Sequence, residues 1–289
     1  MKIKKYLILE IVAVILFLIY MIPFAIILIN SSKPPLVIIS QPLALPESPM
    51  QLFTNIQRVW TSPNVSYPTS LMSSVIITVI TVSLLILFSS MAAWVLVRTK
   101  TILSSVIFMA FVAAMVIPFH SVMFPLISWL HLIEVKLGLF RTPFQLLGNY
   151  PGIIFAYLGF GSSLSIFLYH GFIKSVPLEL EEAATIDGCT KPGTFFRIVF
   201  PILTPITVTV MILNGMWVWN DFLLPRMVLG AGDVIQTLPM AIAFFVGSFV
   251  RRWDLILTST LLTMLPAIII FLALQKYIIK GIVDGAVKG

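Results

Sequence analysis

Charge is what this sequence has least of. Only 10% of its 289 residues are Asp, Glu, Lys or Arg and 59% are hydrophobic; an average globular chain is about a quarter charged. With a mean hydropathy of +1.07, most of the surface must meet lipid, and a soluble enzyme is excluded first. Cysteine is nearly absent too. Cys189 stands alone, which removes disulfide frameworks and cysteine-based zinc sites together. His120, His131 and His170 lie far apart with no pair at i, i+4, so each reads as a packed or interfacial histidine, and no metal is expected. No G-x-x-x-x-G-K-[ST], H-E-x-x-H or G-x-S-x-G occurs, so the chain has no phosphate cradle of its own, and the common metal- and serine-hydrolase signatures are missing. We therefore expect no enzyme and no cofactor. Acids inside the apolar runs are scarce as well: Glu10 and Asp254 fall near run ends, and Asp221 near the end of another. Ion-coupled carriers use intramembrane acids or broken half-helices at the midplane. The chain reads as a membrane path without an internal engine.

What is present is apolar length. A span needs about 20 apolar residues. Such runs begin at Tyr6–Ile29 and recur at about 70–97, 102–124, 152–172, 203–224 and 254–276. The first is too long for a secretory h-region and is read as an uncleaved span. This predicts an all-α polytopic membrane protein with about six transmembrane helices. A proline-rich stretch, 31–69, is expected outside the membrane. Pro118 and Pro125 are expected to kink or break the third span, and 126–151 to include an interfacial helix. With six spans both termini share one side. Most of the 18 basic residues, including Lys2, Lys4, Lys5, Arg98, Lys100, Lys174, Lys191 and Arg197, fall on that side. The positive-inside rule makes it cytoplasmic. The net charge of +7 is thereby explained without nucleic acid.

The largest cytoplasmic loop, 173–202, carries the most specific pattern. Ser175-Val176-Pro177 reads as a helix start. Glu179, Glu181 and Glu182 put negative charge at the positive end of the helix dipole. Ala183 and Ala184 give a face small enough for close approach, and Asp187-Gly188 ends the helix with a left-handed glycine. Thr190-Lys191-Pro192 starts a second short helix, expected to stop at Pro201.

Glu182-Ala183-Ala184, then Gly188, then Ile198-x-Phe200-Pro201 resembles the EAA loop of ABC importer permeases, and the string Pro177 to Gly188 is similar to the version in carbohydrate permeases. Phe200 departs from the leucine usual there. Met91 to Arg98 looks like the alanine-rich, arginine-terminated end of that family's second span. Trp219-Asn220-Asp221-Phe222-Leu223 resembles its Trp-Asn-Asp/Glu-Phe motif. The tail from Gln275 is similar to that of maltose-type "G" permeases, with Asp284 standing where a small residue is usual.

The resemblance implies an ABC transmembrane type-1 fold over 71–279, preceded by an N-terminal helix over 1–30 and the 31–69 loop, and followed by a tail over 280–289. It implies a coupling helix that docks in a cleft of a separate ATPase through Glu182, Ala183, Ala184, Asp187, Gly188, Ile198 and Pro201. It further implies a homologous permease subunit, two ATPase copies and an extracytoplasmic solute-binding protein, in a cell or inner membrane. Tyr157, Ser162, Ser163, Ser165, Asn214, Trp217 and Asn220 are candidates for the translocation path. Packing is an equal reading for them, as it is for Gly159 and Gly161. Arg251 and Arg252 have two open readings, pairing with acids on the binding protein or anchoring to the membrane surface. Competing functions are a permease for glycerol phosphate or another non-sugar solute, an ion-coupled secondary carrier, and a membrane-embedded enzyme or scaffold.

Overall fold

The structure, a computed structural model, describes residues 2–63, 65–139, 141–142, 144–230, 234–246 and 252–286. Every regular element among them is helical: α1 (Lys2–Ser31), α2 (Pro35–Ser40), α3 (Met50–Trp60), α4 (Tyr67–Arg98), α5 (Ile102–Ala114), α6 (Phe119–Lys136), α7 (Tyr150–Ile173), α8 (Glu179–Ile186), α9 (Lys191–Thr194), a π-helical turn (Phe195–Val199), α10 (Phe200–Ile202), α11 (Thr204–Asn220), α12 (Leu223–Val228), α13 (Leu238–Phe244) and α14 (Trp253–Ala286). Their contacts group into two units. One comprises Met1–Ser70 with Leu238–Pro266, the other Leu71–Thr237 with Ala267–Gly289.

In the first unit, α1 is exposed on every face from Leu7 to Ala25, the state of an apolar helix whose solvent is lipid. Its end is fixed by polar chemistry. Lys33 is 1% exposed. Its ammonium donates to Asn30 Oδ1 at 3.0 Å, to the Gln41 carbonyl at 2.9 Å and to the Pro42 carbonyl at 3.3 Å. Asn55 of α3 donates to the carbonyls of Ser31 and Lys33. Burying a cation requires such satisfaction, so these bonds set the path of the proline-rich stretch. Within that stretch lie α2 and α3.

In the second unit, α7 packs against α5 and α11. A Cβ built at Gly161 would lie 2.7 Å from Leu85 Cδ1 and 2.9 Å from Asn214 Oδ1, whereas one at Gly159 meets nothing within 4 Å. Of the two glycines, Gly161 is the one that serves close packing. Ala93, Ile166, Tyr169, Ile173, Phe195, Val199 and Leu203 form a buried cluster, joining α4 and α7 to the segment after α9.

Among the described residues, four helices are long and apolar enough to cross a membrane, and two bent pairs bring the number of spans to as many as six. The departures from the expected spans follow from proline. The third run, expected to continue to 124, stops at Ala114, and α6 leaves at 108° to α5. Pro118 has no N–H to continue the ladder and restricts the residue before it to extended backbone. Pro125, by contrast, is carried inside α6. The second loop helix does not stop at Pro201. It continues through the π-helical turn and α10 to Ile202, and the 76° bend follows at the start of α11. The wide turn, with the Phe200 N–H bonded to the Phe195 carbonyl, comes just before the missing donor of Pro201.

Candidate functional site

The loop between α7 and α11 is built around a buried carboxylate. Glu181, 7% exposed, accepts from Trp94 Nε1 at 2.9 Å and from Arg98 Nε at 2.8 Å. The Arg98 Nη2 lies 2.7 Å from the same carboxylate and donates to the Val176 carbonyl at 3.0 Å. One arginine at the end of α4 thus holds both the approach to α8 and its first turn. A paired, hydrogen-bonded charge is the form in which burial is tolerated. Trp94 also packs on Phe195, ring centroids 5.3 Å apart.

Of the residues singled out from sequence, Ala184 faces inward, while Glu182, Ala183, Asp187 and Gly188 are exposed. Gly188 has φ +84°. Its N–H reaches the Thr185 carbonyl, and that of Cys189 the Ala184 carbonyl, a left-handed Schellman ending that a β-branched residue resists. Thr190 caps α9 by accepting from the Gly193 N–H. Ile198 is half-buried and Pro201 exposed. An open cleft of about 660 Å³ lies beside this knob, lined by Arg98, Glu181, Glu182, Ile186 and Lys191 among others. Sequence reasoning centred on Glu182 and missed the clamp on Glu181. The available signal was an arginine and a tryptophan four residues apart at the end of an apolar helix.

The path candidates separate into two groups. Tyr157, Ser163, Ser165 and Asn214 are buried. Asn214 donates to Ser165 Oγ at 3.0 Å and to the Val210 carbonyl, and Ser165 donates to the Gly161 carbonyl. Tyr157 donates to Asp221 Oδ2 at 3.1 Å and meets the edge of Trp217, centroids 5.2 Å apart. Asp221 also accepts from the Leu223 N–H. Ser162 is half-buried, and Trp217 and Asn220 are exposed. The polar groups of Ser162 and Asn220 bond within their own helices, to the Gly159 and Met216 carbonyls.

Arg252 donates from Nε and Nη2 to Asp254 at 3.2 and 3.0 Å. This pairing raises its basicity further. Arg251 lies outside the described residues. No group of His, Cys, Asp and Glu able to hold a metal occurs among the described residues.

These candidate membrane spans carry a clamped helical knob, and the comparisons identify the family of such a chain. Residues 85–284 match the model of the binding-protein-dependent transport system inner membrane component family. The chain belongs to this family. It is a multi-pass membrane transport component, and not itself an enzyme. Among its relatives is the "Probable starch degradation products transport system permease protein AmyC" of Thermoanaerobacterium thermosulfurigenes, 38% identical and covering 99% of this chain and 98% of the relative. The "Melibiose/raffinose/stachyose import permease protein MelC" of Bacillus subtilis (strain 168) is 38% identical over 82% of this chain and 81% of its own. Among solved structures, a chain from the "Crystal structure of a bacterial ABC transporter involved in the import of the acidic polysaccharide alginate" aligns with TM-score 0.70 at 20% identity, covering 93% of this chain and 96% of that one. This permease therefore shares the fold of an ABC transporter chain.

Proposed function

We propose that this chain is the permease subunit of an ATP-driven, solute-binding-protein-dependent importer for a sugar or oligosaccharide. The permease domain is taken as 71–279, with 173–202 as its coupling loop. It pairs with a homologous permease, and two cytoplasmic ATPase subunits supply the energy. Both termini and the 173–202 loop face the cytoplasm, while 31–69 and 225–252 face outward, where Arg251 and Arg252 lie near the binding protein. The sugar class is supported by the names of the two relatives.

The observation that carries the coupling role is the division within one short helix. Glu181 is locked to Trp94 and Arg98, while Glu182, Ala183 and Ile186 remain exposed on α8. A knob anchored on one face and open on the other transmits a push from a docked partner into α4 and α7. Glu182 and Asp187 are the groups that meet donors of the ATPase cleft. In the path, Ser162, Trp217 and Asn220 are the positions that reach the solute, and Tyr157, Ser165 and Asn214 hold them in place.

The test is uptake in proteoliposomes containing the purified complex, with the binding protein on the entry side and a labelled oligosaccharide as solute. Uptake that needs ATP and the binding protein supports the proposal. Uptake that continues without ATPase and collapses with an ionophore contradicts it. Uptake of glycerol phosphate in place of the sugar, with the same ATP requirement, overturns the solute class alone.

A further inference from the structure

A second cavity lies on the other side of the α4–α5 turn, and neither coupling nor the solute path uses it. It measures about 600 Å³ and is lined at its mouth by Lys100, Thr101, Ser104, Ser105 and Lys174. Among the described residues the ammonium groups of Lys100 and Lys174 make no hydrogen bond or ion pair. The nearby acid Glu181 is taken up by Arg98. The first turn of α5, thirteen residues long and capped by Thr101, opens into the same place. The N–H groups of Ile102 and Leu103 precede the first intrahelical bonds there and favour an anion.

His170 supplies an independent observation. It is 8% exposed, its ring is stacked on Phe108 at 3.6 Å, and it has no hydrogen-bond partner among the described residues. It lines this cavity and also a second one of about 440 Å³, which shares Phe108 and Lys174 and is walled by Phe167, Leu168, Phe172 and Ile206. A cationic mouth with one buried polar ring thus leads into an apolar trough. The mouth sits where α4 ends and α5 begins, at the boundary of membrane spans. The exposed side chains of Ile102, Val106 and Met109 continue the apolar surface along α5.

We infer that this is a binding site for an anionic phospholipid. The phosphate lies between Lys100, Lys174 and the first turn of α5, His170 donates to or accepts from the headgroup, and one acyl chain follows the trough. Charge selects the lipid over a zwitterionic one, and the trough distinguishes it from a free anion. Because Lys174 follows α7 and Lys100 follows α4, an occupied site ties together two helices that hold the coupling loop.

The test uses the full chain in its purified complex in non-ionic detergent. Native mass spectrometry follows titrations with dioleoyl phosphatidylglycerol, dioleoyl phosphatidylcholine and inorganic phosphate. Phosphatidylglycerol should bind more tightly than phosphatidylcholine. Lys100→Gln/Lys174→Gln, both changes at exposed side chains, should weaken phosphatidylglycerol about thirtyfold, the scale set by two cations near an anionic lipid headgroup. Lys4→Gln/Lys5→Gln, which removes equal charge elsewhere on the same membrane side, should not. A Cβ at Gly171 meets nothing within 4 Å, so Gly171→Phe fills the trough and should weaken the lipid while leaving both lysines intact. Unchanged phosphatidylglycerol binding in the lysine variant overturns the site. Inorganic phosphate binding as tightly as the lipid, with Gly171→Phe without effect, overturns the lipid as its occupant.

Discussion

In the loop, Glu181 is committed to Trp94 and Arg98 while its neighbour Glu182 is left exposed. In the α7–α11 core, Asn214 is committed to Ser165 and Tyr157 to Asp221. Both regions hold polar groups in an apolar bundle, but they use them differently. The loop buries one charge to anchor itself and leaves others exposed. The core uses its polar groups to fix helix against helix, leaving few exposed. A binding surface and a packed polar core therefore cannot be told apart by residue type alone; the partners decide.

The largest effect that breaks this contrast is loss of the anchor. Arg98→Ala leaves Glu181 with only the indole N–H, and truncating one member of a buried charge pair costs about 2–5 kcal/mol. Because Arg98 is partly exposed, the low end applies. Thermal unfolding of the purified complex should drop accordingly, and Arg98→Met/Glu181→Leu should recover much of the loss. No drop for Arg98→Ala would mean that the clamp does not hold the loop.

Next is the helix crossing at Gly161. Gly161→Val must displace Leu85 and Asn214, and overpacking of this kind costs about 1–3 kcal/mol. Gly159→Ala, with open space around it, should stay within about 0.5 kcal/mol of wild type. The same unfolding assay reads both, and equal effects would remove the distinction between the two glycines.

The smallest expected change is Ser162→Ala, within about 0.5 kcal/mol in stability. A selective rise in the KM for solute, with the melting temperature unmoved, would sharpen its assignment to the path.

Much of the loop was legible because its requirements are local. Acids at a helix start, paired alanines and a glycine that must adopt φ > 0 are each dictated within a few residues, and the structure has them where the sequence has them. The span count was legible from apolar length. The Arg98–Glu181 clamp was not, because it joins residues far apart in the chain, and nothing in a period or a spacing reports that encounter. The partners of Tyr157 and Asn214 were hidden for the same reason. A break at Pro118 was legible. That Pro125 would not break its helix, and that the second loop helix would bend at Leu203 rather than Pro201, were not. Proline marks where a helix is weakened, while the surrounding packing decides whether it bends before, at or after that point. Pro118 breaks its helix; Pro125 and Pro266 are carried inside theirs.

The central claim is that the loop transmits ATPase movement through residues that take no part in chemistry. The most direct measurement is on purified complexes carrying Glu182→Lys or Gly188→Val, assayed for retained ATPase subunit, ATP hydrolysis and solute uptake. The account predicts that both variants insert in the membrane, bind the ATPase more weakly and lose uptake, whereas Gly159→Ala, in open space, retains all three properties. Wild-type uptake with a full complement of ATPase in both loop variants would contradict it.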